Sequence, residues 1–106
     1  MKPKESDWKK FRGSLDKWRE RYLKRKNGEI RAILENDDLS ETEKFWDIVG
    51  FQKKESRKLR DCLNGYSRSR MSLHMALMKR YKMIEEDDIK EFSNELQELL
   101  NEISKI

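Results

Sequence analysis

Cysteine, proline and glycine are all scarce in this chain of 106 residues, which holds one, one and four of them. A lone Cys62 excludes an internal disulfide and a cysteine-framed zinc site, and it fits a reducing compartment. The single proline, Pro3, lies too near the N-terminus to interrupt a helix from within. With few glycines and no polar linker, nothing divides the chain, and residues 1–106 read as a single helical domain. No stretch approaches the ~18 consecutive apolar residues of a membrane span. The basic opening "MKPKESDWKK" also lacks the apolar run of a signal peptide. A soluble, cytoplasmic protein is expected.

Hydrophobic residues are scarce as well, at 35% against 43% charged, a balance that leans toward disorder. Periodicity argues the other way. Trp8, Phe11, Leu15, Trp18 and Tyr22 alternate in steps of three and four, and Ile30 and Ile33 rejoin the same face. Ser6 is of N-cap type, with Asp7 in the first turn. Asn27-Gly28 favours a turn and leaves the continuity of this helix open. Because Gly13 and Gly28 both fall opposite the apolar stripe, the preferred reading is one long helix over about 6–36.

Ser40 and Glu43 have capping-box spacing and start a second helix. Its face carries Phe45, Ile48, Val49, Leu59, Cys62 and Leu63, and Gly65 stands where a left-handed closing residue is wanted. Ser67 or Ser69 would cap a shorter helix with Met71, His74, Met75, Met78 and Tyr81 inward. After the acidic connection "EEDD", the run Ile89, Phe92, Leu96, Leu99 or Leu100, Ile103 and Ile106 predicts a final helix with a coiled-coil-like seam. No segment reads as a strand. The expected fold is all-α, a compact four-helix bundle-like domain with two long and two shorter helices.

Net charge is only +4, but it is sorted along the chain. Residues 1–35 are net +6, 36–65 net −1, 66–84 net +5 and 85–106 net −6. The +5 segment begins at Arg68 and Arg70, and a helical hairpin would fold it against the acidic one. These arginines therefore read first as internal pairing, with anion binding at the helix start as the alternative. Lys10, Lys17, Arg21, Lys24 and Arg31 share one arc of the first helix, a ridge ~32 Å long. Such a ridge suits nucleic-acid backbone binding or is simply a solvated face. Behind it, the aromatics are better read as core than as a membrane-surface stripe.

Lys26, Glu29, Gln52, Glu55 and Ser56 interrupt the stripes of the two long helices at one level. They form either a register-setting polar layer or a wet gap. Trp46 and Phe51 lie off the main stripe and are candidate partner anchors. His74 and Cys62 are singletons. Without zinc-like spacing or a nucleophile motif, no metal, no cofactor and no catalytic residue is expected. A helix-turn-helix reader is excluded by Glu91, Glu98 and Glu102 on the helix that would enter the groove.

The phrases "WKKFRGSLDKWRERYLKRKNGEI", "EKFWDIV" and "LRDCLNGYSRSRM" together resemble small helical proteins of bacterial genomes and prophages. That resemblance implies an accessory protein of a mobile element and assigns no functional residues. The expectation is a non-enzymatic binding or regulatory protein acting by occupying a protein partner. Backbone binding to RNA or DNA through the ridge of the first helix is the alternative. A self-associating module built on the final seam, a homo-oligomer, is the third.

Overall fold

The computed structural model describes residues 3–105. The fold is all-α, with no strand among these residues. Helix α1 spans Glu5–Leu34 and α2 spans Glu41–Leu63; a 3₁₀ turn at Arg68–Arg70 leads into α3, Met71–Arg80. One turn of helix, α4 (Glu86–Ile89), then precedes α5 (Asn94–Ser104).

α1 runs unbroken through Asn27-Gly28. Its N-cap is Lys4 rather than Ser6, with no side-chain cap bond. α2 opens on the Ser40–Glu43 capping box, each residue serving the other's backbone amide at 3.1 Å. It ends at Asn64, whose backbone turns extended and whose amide donates to the Arg60 carbonyl at 3.0 Å. Gly65 follows with a φ of 72°, a conformation glycine favours.

The long final helix expected from the Ile89–Ile106 pattern is broken at Lys90–Ser93. Ser93 Oγ accepts from the Leu96 amide at 3.2 Å and caps α5 there. Ser93 is itself held from outside, since its amide and hydroxyl donate to the two carboxylate oxygens of Asp7 at 2.9 and 2.5 Å. The seam therefore turns inward. Ile89, Phe92, Leu96 and Leu100 are buried in the chain's own core, while Leu99 and Ile103, at the far end of the seam, are half-buried. Ile106 lies outside the described residues.

The core lies at one end. α1 contributes Phe11, Leu15, Trp18 and Tyr22, all from its first eighteen residues. Against them pack Cys62 from α2, the methionines 71, 75 and 78 from α3, and Met83 and Ile84 from the connection. Beyond Arg25, the last α1 residue bonded to the 82–93 connection, α1 runs on with α2, and the two helices leave the body as a hairpin arm. A compact domain was expected, but the molecule measures 52 × 23 × 21 Å. Its radius of gyration is 16.5 Å, above the ~13 Å usual at this length. A thirty-residue helix is ~45 Å long and outruns what the three short elements can cover.

Candidate functional site

Where the arm leaves the body, Tyr22, Lys26, Glu55 and Lys58 meet. The Tyr22 hydroxyl donates to Glu55. Lys58 Nζ lies 3.3 Å from the other Glu55 oxygen, and Lys26 Nζ lies 3.8 Å from Glu55 and 3.0 Å from Glu29. Burial alone would push the Glu55 carboxyl up, but the hydrogen bonds from Tyr22 and Lys58 and the two ammonium charges outweigh it and hold it low. Burial, with the bond to Glu55, pushes the Tyr22 phenol up. This is a satisfied lock between the helices. Lys26, Glu29 and Glu55 of the polar layer read from sequence take part. Ser56 instead donates back to the Lys53 carbonyl, and Gln52 lines the neighbouring hollow.

Of the α1 ridge, Lys10, Lys17, Lys24 and Arg31 are exposed and in no ion pair among the described residues. Arg21 is not available in the same way. Its guanidinium is bidentate on Asp88, at 2.6 and 3.1 Å, and also donates to the Met83 carbonyl at 3.1 Å. Arg25 donates to the Lys82 carbonyl at 2.8 Å. Together with Asp7–Ser93, these bonds pin the whole 82–93 connection along one flank of α1.

Arg68 does pair internally, though not with the acidic last helix: it meets Glu5 at 2.9 Å and stacks over Trp8. Its place at the end of the α2–α3 connection puts it beside the start of α1 rather than beside α5. Arg70 makes no ion pair among the described residues and lines a hollow with Arg60, Asn64 and His74. Cys62 and His74 are neighbours, but not as a nucleophile and its base. A ring nitrogen of His74 donates to the Cys62 carbonyl at 2.7 Å, and burial pushes the thiol up to about 12. Among the described residues no group of three His, Cys, Asp or Glu side chains is placed to hold a metal. No helix of the described residues is long and apolar enough to cross a membrane.

Besides an open hollow of about 430 Å³ between α3 and α5, lined by Leu73, Ala76, Leu77, Leu100 and Ile103, two surfaces stand out. On the arm, Trp46 is 63% and Phe45 61% exposed, their rings packed edge to face at 5.1 Å, and Leu34 is also exposed. Phe51, the other anchor read from sequence, is half-buried, its ring 6.0 Å from the Lys26 ammonium. The arm's end is acidic: Glu35, Asp37, Asp38, Glu41, Glu43 and Asp47 surround one lysine, Lys44.

The second surface is a basic furrow between α2 and α3. It consists of a hollow of about 350 Å³ lined by Lys53, Lys54, Arg57 and Tyr81 and another of about 340 Å³ lined by Arg60, Arg70 and His74. Block charges hid this furrow. Residues 36–47 carry five acids and one base and residues 48–65 five bases and two acids, so the region averages to near zero. The i, i+3, i+4 spacing of the bases in "QKKESRKLR" was the available signal.

No family model matches the chain, and neither the curated proteins nor the solved structures contain a match to it.

Proposed function

We propose that the protein is a non-enzymatic binding protein, a helical-bundle body carrying an arm that occupies a surface of a protein partner. The observation that carries this reading is the Phe45–Trp46 pair, about three-fifths exposed and stacked only on itself. Large apolar side chains grouped on an otherwise charged surface mark contact sites, and aromatic anchors dominate binding energy where they become buried. The acidic rim argues for a partner with an apolar pocket edged by Lys and Arg, and against an anionic membrane surface. Occupancy of this kind suits the regulatory, mobile-element accessory role that the resemblance to prophage proteins implies. The reducing cytoplasm suits a free buried cysteine.

The test places a photo-crosslinking side chain at Leu34, beside the anchors, in cells of the native host. One discrete protein adduct is expected, lost when Phe45→Ala and Trp46→Ala are combined in a protein that still melts normally. An adduct pattern indifferent to those two substitutions would remove the arm from the proposal.

Backbone binding by the α1 ridge remains a second reading, supported by the exposure of Lys10, Lys17, Lys24 and Arg31. The commitment of Arg21 to Asp88 weakens it.

A further inference from the structure

From the furrow between α2 and α3, independently of the arm, we infer that the protein binds single-stranded nucleic acid, with Lys53, Lys54, Arg57, Arg60 and Arg70 on the phosphates and Tyr81 as a stacking wall.

The argument begins with helix geometry. Gly50, Lys53, Lys54, Arg57, Lys58 and Asp61 recur at three- and four-residue steps, which puts them on one face of α2. That face does not bulge into solvent. Tyr81, at the end of α3, stands opposite and closes a hollow of about 350 Å³. The second hollow, about 340 Å³, shares Asp61 and continues the line toward Asn64, where Arg70 and His74 come in from the α3 side. From Lys53 to Asn64 the path is ~16 Å long at 1.5 Å per residue. A strand stacked at the ~3.4 Å rise of a duplex strand would lay four or five phosphates along it, and a more extended one fewer.

Concavity, more than charge, separates this furrow from the α1 ridge: its cations line two adjoining hollows. Lys53, Lys54, Arg57, Arg60 and Arg70 are exposed, and none is in an ion pair among the described residues. Asp61 is the one acid lining either hollow. Lys58 is committed to Glu55, and its ammonium lies 5.2 Å from the Tyr81 ring, which helps to fix that wall. Gly50 roofs the upper end, where an added Cβ would meet nothing within 4 Å, so a backbone can approach closely. A positive groove with an aromatic wall is the arrangement by which single strands are held without sequence preference. A duplex, too wide to enter, would meet only the outer cations. An acidic amphipathic helix would need an apolar floor along the whole furrow; Leu73 and Leu77 offer one in the lower hollow, but the upper offers only Tyr81.

Fluorescence anisotropy with labelled oligouridylate and oligothymidylate, titrated from about 50 to about 200 mM salt, reads the inference directly. Four contacts predict a log–log salt slope of about −3. Arg57→Glu with Arg60→Glu, both on exposed positions, should weaken binding at least about tenfold and flatten the slope by about 1.4. Tyr81→Leu should weaken single-strand binding about tenfold. Lys10→Glu with Lys17→Glu, on α1, should change neither. Circular dichroism establishes that each variant is folded. No binding at about 50 mM salt overturns the inference. So does binding lost through the α1 pair but kept by the α2 pair. Polyglutamate competing as well as the oligonucleotides would assign the furrow to an acidic protein chain instead, and that too would overturn it.

Discussion

Lys82 has a φ of 60°, the one positive value outside glycine among the described residues. It sits just after α3, and the amides of Lys82 and Met83 close back on the carbonyls of Lys79 and Met78 at 3.0 and 2.8 Å. That is a helix stop in which glycine is the usual left-handed residue, and a side chain there costs about 1 kcal/mol. The closure turns the chain sharply enough to drop Met83 and Ile84, each 1% exposed, into the core. Lys82→Gly keeps the carbonyl that Arg25 uses and removes the Cβ, so it should stabilise the protein by about 1 kcal/mol. A thermal melt should rise by about 4–8 °C. A lowered melting temperature would mean that the lysine side chain contributes something its backbone strain conceals.

Among the elements, the connection from Lys82 to Ser93 is held less by its own helicity than by α1. α4 is a single turn, formed by a capping box between Glu85 and Asp88, too short to persist alone. What fixes it is Arg21 on Asp88. Burial would raise the Asp88 carboxyl, but the Arg21 hydrogen bonds, the Glu85 amide and the charges of Arg21 and Lys17 outweigh it and lower it. A carboxyl lowered in the folded state contributes its full stability above its unfolded value, ~3.9, and loses it as pH falls through the folded value. Glu55, lowered by Tyr22 and the lysines, adds in the same direction. Stability should therefore drop on the acid side of about pH 4. Arg21 is nearly half exposed, which tempers the strength of the pair. Asp88→Asn should cost about 1–2 kcal/mol at neutral pH and flatten the acid limb of the melting curve. An unchanged acid limb would place the sensitivity elsewhere.

For the molecule as a whole, uneven burial predicts uneven stability. Large buried apolar side chains are concentrated in the body, whereas the arm beyond the Tyr22–Glu55 lock buries the lysine Lys44 and half-buries Ile30, Ile48 and Phe51. Regions with few buried contacts open first. Native-state hydrogen exchange should show amides of α1 beyond Tyr22 and of α2 before Glu55 exchanging well ahead of those near Trp18 and Met75. Uniform protection along α1 would show that the arm and the body unfold as one unit. Gradation of this kind leaves a rigid body under an adaptable arm, consistent with a surface that closes on a partner.

Local chemistry determined a good deal here without help from the fold. The apolar stripe of α1, the Ser40–Glu43 box, the Gly65 stop and the inward methionines of α3 follow from periodicity and caps, which need only near neighbours along the chain. Periodicity also favours a continuous α1 through Asn27-Gly28 without deciding it, whereas the break at Ser93 does not follow from the pattern. Ile89, Phe92 and Leu96 keep a helical period across that break, and Ser93 becomes a cap because Asp7, eighty-six residues away, holds it. The same holds for the charges. Sequence places Arg21 in a cationic ridge and Arg68 near an acidic segment, but which carboxylate each meets depends on how three short elements lie across one long helix. Tertiary structure decided that Arg21 belongs to Asp88 and Arg68 to Glu5. It also lined up Arg57, Arg60 and Arg70 along one furrow, because an ion pair is set by a distance in space that no spacing along the chain encodes.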